Sequence, residues 1–148
     1  MHEDVKDLAE QYKQRLEQQK LDQQTFLAER KLLETNGPKL WADLRSLIKS
    51  KQEALNSEMG FEAVSWNDTG SESLSMTRKH DGATLTGDYN SILEDVRFKC
   101  PEAKIDVFLE LRVQSGDVEF ISINANKVVF VNKPEDIAQG LIRQFLTQ

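Results

Sequence analysis

Cysteine, proline, glycine and histidine are all scarce in this 148-residue chain, which holds one Cys, three Pro, seven Gly and two His. A lone cysteine, Cys100, makes no internal disulfide, and a disulfide-stapled scaffold is excluded. Placed before Pro101 at the end of an apolar alternation, Cys100 reads as a small core residue. So little Gly and Pro excludes collagen-like and low-complexity classes. Long apolar runs are missing too. The longest is Val128-Val129-Phe130-Val131, far short of the roughly 20 residues that span a bilayer, so no integral membrane association is expected. Positive charge is short as well: the net charge is -6, divided as -2 over residues 1–36, +1 over 37–60 and -5 over 61–148. No segment carries the clustered Lys and Arg that bind a phosphate backbone, so no nucleic acid partner is expected. The opening Met1-His2-Glu3-Asp4-Val5-Lys6-Asp7 lacks the apolar region of a secretory signal, which points to a cytoplasmic protein.

The shortage extends to catalytic constellations. His2 and His80 are the only histidines, and neither has a partner at ligand spacing, so a zinc site would have to be built almost wholly from Asp and Glu. The same lack weakens any Ser-His-Asp or Cys-His arrangement, where His80 alone could act as base. Gly82-Ala83-Thr84-Leu85-Thr86-Gly87 has the glycine spacing of a phosphate loop, but Asp88 and Tyr89 stand where Lys and Ser or Thr are required. Asp106 and Glu110 share a strand face about 13 Å apart, too far for a glycosidase pair, and read as a charge ladder with Arg112 or a cross-strand base. Asn67-Asp68-Thr69 fits a glycosylation sequon but reads as a turn. No catalytic residue, metal ligand or cofactor is assigned.

What the chain does have is helix former, then strand former. Residues 3–35 contain no Pro or Gly and are rich in Leu, Glu, Gln, Lys and Arg, which predicts a helix near 50 Å long. Its heptad seam runs Val5, Ala9, Tyr12, Leu16, Gln19, Gln23, Phe26, Arg30 and Leu33, apolar at both ends and polar in the middle. Asn36-Gly37-Pro38 reads as a stop, with a second helix over 38–59 striped by Leu40, Trp41, Leu44, Leu47, Ile48, Leu55 and Met59. A short connection would fold the two into a hairpin in which the first outruns the second by about 17 Å.

From Gly60 the apolar period changes to two, and five or six antiparallel strands are expected within 61–131. The clearest is Ile105 to Val113, with Ile105, Val107, Leu109, Leu111 and Val113 toward the core and Asp106, Phe108, Glu110 and Arg112 away from it. Asn132 as cap, Pro134 and Glu135 then announce a C-terminal helix over 133–147 that packs on the sheet. The expected fold is α+β, a single domain over 1–148 with an N-terminal helical hairpin, a meander sheet and a closing helix.

Three function classes follow. A non-catalytic binding or assembly module accounts for the long helix and the missing catalytic groups, and it is the preferred reading: a homodimer, or a protein partner, held through Val5, Tyr12 and Leu16. A small-ligand binder would use a cleft lined by Trp66, Tyr89 and Phe108, and a carboxylate enzyme would use the same cleft. Phe108 on the charged strand face is expected to lie under the helical hairpin.

Overall fold

A computed structural model describes residues 4–148; His2 and Glu3, singled out above, lie outside them. The element order is α1 (Val5–Met59), β1 (Val64–Asn67), β2 (Ser73–Arg78), β3 (Thr84–Asn90), β4 (Asp95–Cys100), a 3-10 turn (Pro101–Ala103), β5 (Ile105–Gln114), β6 (Asp117–Ile123), β7 (Val129–Asn132) and α2 (Pro134–Thr147). The seven strands form one antiparallel sheet in the order β1-β2-β3-β4-β5-β6-β7. The α+β class and the closing helix are as expected, and four details are corrected.

The first correction concerns the hairpin. Residues 5–59 form one helix of 55 residues that passes through Pro38, roughly 80 Å long at 1.5 Å per residue. Local chemistry argued for a stop, but the packing stripe overrides it. Leu33, Gly37, Trp41, Leu44 and Ile48 recur at three-and-four spacing and bury one continuous face. Gly37 is buried for a reason unrelated to capping: a Cβ there would come within 2.6 Å of Glu94 Oε2 and 3.2 Å of Tyr89 Oη. Glycine before proline also removes half of the clash that normally drives the preceding residue out of the helical region. Pro38 itself is exposed, as is Glu34, whose carbonyl loses its helical donor at this position. The helix opens on Asp4, whose carboxylate accepts the Lys6 N–H at 3.3 Å, and ends on Gly60 in the left-handed region at φ 77°.

The second is the strand count of seven. The strand beyond six is β1, paired with β2 through Trp66 opposite Met76. It is held from outside the sheet: Asn56 Oδ1 accepts the N–H groups of Ala63 and Val64 at 2.9 and 3.0 Å, while Gln52 and Asn56 both donate to the Val64 carbonyl at 2.8 Å.

One sheet face is covered by the C-terminal half of α1 together with α2, which pack on each other and on the strands. Trp41, Leu44 and Ile48 of α1 meet Leu74, Met76, Leu85, Val96, Phe98, Leu109, Leu111 and Phe120 of the sheet and Ala138, Leu141 and Phe145 of α2. Along β5, Ile105, Leu109 and Leu111 are buried while Asp106 and Phe108 are exposed. The cover expected for Phe108 is therefore absent: α1 lies on the opposite face. Asn132, expected as the cap of α2, instead ends β7 and donates its amide to Ser122 Oγ at 3.0 Å; the cap position falls on Lys133, with Pro134 opening the helix.

Candidate interaction surfaces

Three surfaces carry the residues singled out from the sequence. The first is the free half of α1. Every residue from Asp4 to Lys31 is exposed, and burial begins only at Leu32 and Leu33. The unsupported length is roughly 40 Å at 1.5 Å per residue, more than twice the overhang expected from a hairpin. On it Val5 is 78% exposed, Tyr12 62% and Leu16 46%, and Phe26 lies on the same line at 63%. Leu8, Leu21 and Leu27, which the seam leaves out, are exposed as well. The hydrogen bond from Gln18 to Asp22 and the Arg30–Glu34 pair at 3.4 Å are both local to the helix. They are worth only tenths of a kcal/mol each, about 0.3 to 0.5, and do not hold it against anything.

The second surface is the seam between α1 and the sheet, where two of the proposed cleft residues are found. Tyr89 is buried, stacks on Trp41 with centroids 5.9 Å apart, and donates its hydroxyl to Glu94 Oε2 at 2.9 Å. Burial and that hydrogen bond push the phenol up, and burial raises the Glu94 carboxyl above its usual range. Trp66 is half-buried beneath Arg45 and Lys49, whose charged ends stand 5.2 and 5.7 Å from its ring. Both rings are occupied by contacts within the chain.

The third is the open face of the sheet. Its β1–β3 part carries Ser and Thr hydroxyls in rows, such as Thr77 with Thr84 at 3.0 Å. Its middle is a charge ladder, with Asp88 opposite Arg97, Lys99 opposite Asp106, and Arg112 bonded to Glu110 at 2.6 Å. Phe108, 44% exposed, lies in this ladder with Arg97 5.5 Å from its ring. Beside it Ile121, fully buried, and half-exposed Ile123, Val129 and Val131 form an apolar strip reaching the β7 edge.

Trp66, Tyr89 and Phe108 thus do not meet in one cleft. Tyr89 and Phe108 both border a surface depression of about 630 Å³ near the β3–β4 turn, but the Tyr89 ring is turned to Trp41 and Trp66 lies elsewhere. A second depression, of about 540 Å³, is bordered by Asp106, Phe108, Glu110 and Ile121, where Glu110 is already committed to Arg112.

The glycines of the phosphate-loop spacing are explained by packing. Gly82 turns the chain at φ 77° between β2 and β3, and a Cβ on Gly87 would stand 2.7 Å from the buried Phe98 ring. Cys100 is buried, and burial pushes its thiol up, away from the thiolate form. Among the described residues, no three His, Cys, Asp or Glu side chains converge as a metal site, and no helix is long and apolar enough to cross a membrane.

Two groups were not legible in the sequence. Arg78, in a strand of alternating small residues, is buried and donates to Asp81, to the Phe145 carbonyl at 2.6 Å and to the Gln148 carbonyl at 2.8 Å. Ile92 and Leu93, apolar and β-forming, are 87% and 69% exposed in the β3–β4 turn. Comparison with known protein families, curated proteins and solved structures finds no match to this chain.

Proposed function

We propose that this protein is an assembly module that self-associates through the free half of α1. One observation carries the reading: a helix some 40 Å long stands in solvent with Val5, Tyr12, Leu16 and Phe26 exposed along one line and, among the described residues, no other element of the chain packed on them. An isolated helix is marginal in water, because most helical stability in proteins comes from packing an apolar face. A second copy supplies that packing at no cost in sequence, since each chain brings the same seam. The polar centre, Gln19 and Gln23, stays compatible with a two-stranded contact, where polar seam residues fix register and lower affinity.

Light scattering after size-exclusion chromatography tests this. The 16.9 kDa chain is expected at twice that mass at micromolar concentration, and at the single mass after Tyr12→Glu with Leu16→Glu. A wild-type monomer at high micromolar concentration, or a dimer that survives both substitutions, overturns the reading.

A further inference from the structure

We infer that the second copy lies antiparallel on α1, spanning residues 4–31 so that the two sheets sit at opposite ends of the paired helices. The inference rests on the self-association proposed above and adds its geometry on three grounds, of which sterics and charge select it and the seam register aligns it.

The first is steric. The seam of the free half, from Val5 to Arg30, runs without a phase break into Leu33, Gly37, Leu44 and Ile48, and those residues face the chain's own sheet. A parallel mate in register would carry its residues 33–59, with their sheet, into the space this sheet already fills. An antiparallel mate carries its own sheet to the opposite end of the paired helices, clear of this one.

The second is register. Matching the two kinds of seam position across an antiparallel pair sets Val5 opposite Arg30, Ala9 opposite Phe26, Tyr12 opposite Gln23 and Leu16 opposite Gln19. Ala9 meets the Phe26 ring, the stems of Arg30, Gln23 and Gln19 lie over Val5, Tyr12 and Leu16, and Asp4 falls level with Lys31, the last residue of the unbroken exposed run. Sliding the pair by one heptad toward the sheet sets Val5 opposite Gly37 and drives the first turn into the space the sheet fills.

The third is charge. Beside the antiparallel seam, Arg15 of each chain meets Asp22 of the other, twice by symmetry, and these two attractions offset the two Lys13–Lys20 contacts of the other flank. In the parallel pair Arg15 meets Lys20, Glu29 meets Glu34 and Arg30 meets Arg30, with no attraction to offset them. The antiparallel pair also brings Val5, 78% exposed, toward the β3–β4 turn of the other chain. There Ile92 and Leu93 stand exposed beside Glu94, which lies against Gly37 and within electrostatic reach of Arg30 and Glu34. Ile92, Val5 and Leu93 are the three most exposed large apolar side chains among the described residues.

Sedimentation of the full chain over a dilution series separates the two orientations by sign. Antiparallel pairing predicts that Arg15→Glu weakens the dimer about tenfold, and that Arg15→Glu with Asp22→Arg restores it, since two symmetric ion pairs are reversed and then re-formed. Parallel pairing predicts that Arg15→Glu tightens the dimer. As a second arm, chains carrying Ala9→Cys and chains carrying Phe26→Cys should cross-link to one another under oxidation and not to themselves, because like positions are roughly 25 Å apart along the axis. Self-cross-linking of Ala9→Cys, or tightening by Arg15→Glu, overturns the antiparallel arrangement while leaving self-association standing. A wild-type chain that sediments as a monomer throughout removes both.

Discussion

A guanidinium taken out of water must have its donors used, and Arg78 shows how few residues that takes. Asp81, three residues on, receives two of its nitrogens, and the carbonyls of Phe145 and Gln148 receive a third. The end of β2 is thereby tied to the end of α2. The guanidinium and the Ala83 N–H hold the Asp81 carboxyl at about 2, below the ordinary value near 3.9 that it regains on unfolding. The unfolded chain therefore binds the extra proton as pH falls, and the stability this contact provides is complete above about pH 4 and lost as pH drops through about 2. Urea midpoints of wild type and Asp81→Asn should differ at pH 6 and converge toward pH 2. A constant gap would show that the carboxylate charge is not what matters there. Two further substitutions examine the sheet one residue at a time. Leu109→Ala should cost about 2 to 5 kcal/mol and Glu110→Ala under about 1, since the first empties a buried site and the second loosens a half-exposed pair. Gly87→Ala should cost about 1 to 3 kcal/mol, because its methyl group would press on a Phe98 ring that has nowhere to go.

At the scale of elements, α1 shows where sequence legibility ends. The stripe Leu33, Trp41, Leu44 and Ile48 was readable as an amphipathic face, and so was the seam of Val5, Tyr12 and Leu16. Gly37-Pro38 was readable only as punctuation, because the partners that justify Gly37, Tyr89 and Glu94, lie some 50 to 60 positions away in the chain. Strand β5 was legible to its inward and outward faces because ten residues alternate cleanly. Strand β1 was not. Its four residues are too few to establish a period, and they are fixed by Asn56 and Gln52 of α1 rather than by their own pattern. The exposure of Ile92 and Leu93 is hidden in the sequence for a related reason: composition marks them as strand or core residues, and only the β3–β4 turn exposes them. Pro38 sits in a helix interior, exposed, without the N–H that would bond the Glu34 carbonyl. Pro38→Ala should raise stability by about 1 to 3 kcal/mol, the helix penalty of proline less the unfolded-state entropy that proline removes. A fall in the urea midpoint would mean that α1 needs a bend at this point to follow the sheet.

On the scale of the whole molecule, the chain divides its residues between a body that closes on itself and an arm that does not. The body begins at Leu32. Among the described residues, the core runs from Leu32 and Leu33 of α1 to Phe145 of α2, with none of it before that point. Hydrophobic stabilisation follows apolar surface removed from water, so the arm, whose described apolar side chains are all exposed, adds little to the stability of one isolated chain. Its contribution should appear only when a second copy is present, and then as mass action: binding stabilises the folded state by an amount that grows with concentration. Two melting series examine this together. A chain shortened to begin at Leu32 should unfold cooperatively, at a Tm within about 3 °C of the dilute full-length protein, consistent with the loss of at most about 1 kcal/mol for a molecule of this size. Its Tm should not move between micromolar and hundred-micromolar samples. The full-length chain should melt higher as it is concentrated, and Tyr12→Glu with Leu16→Glu should abolish that rise. If the shortened chain fails to fold, the arm supports the body from within the same molecule. If both chains melt independently of concentration, the arm has no second copy to bind.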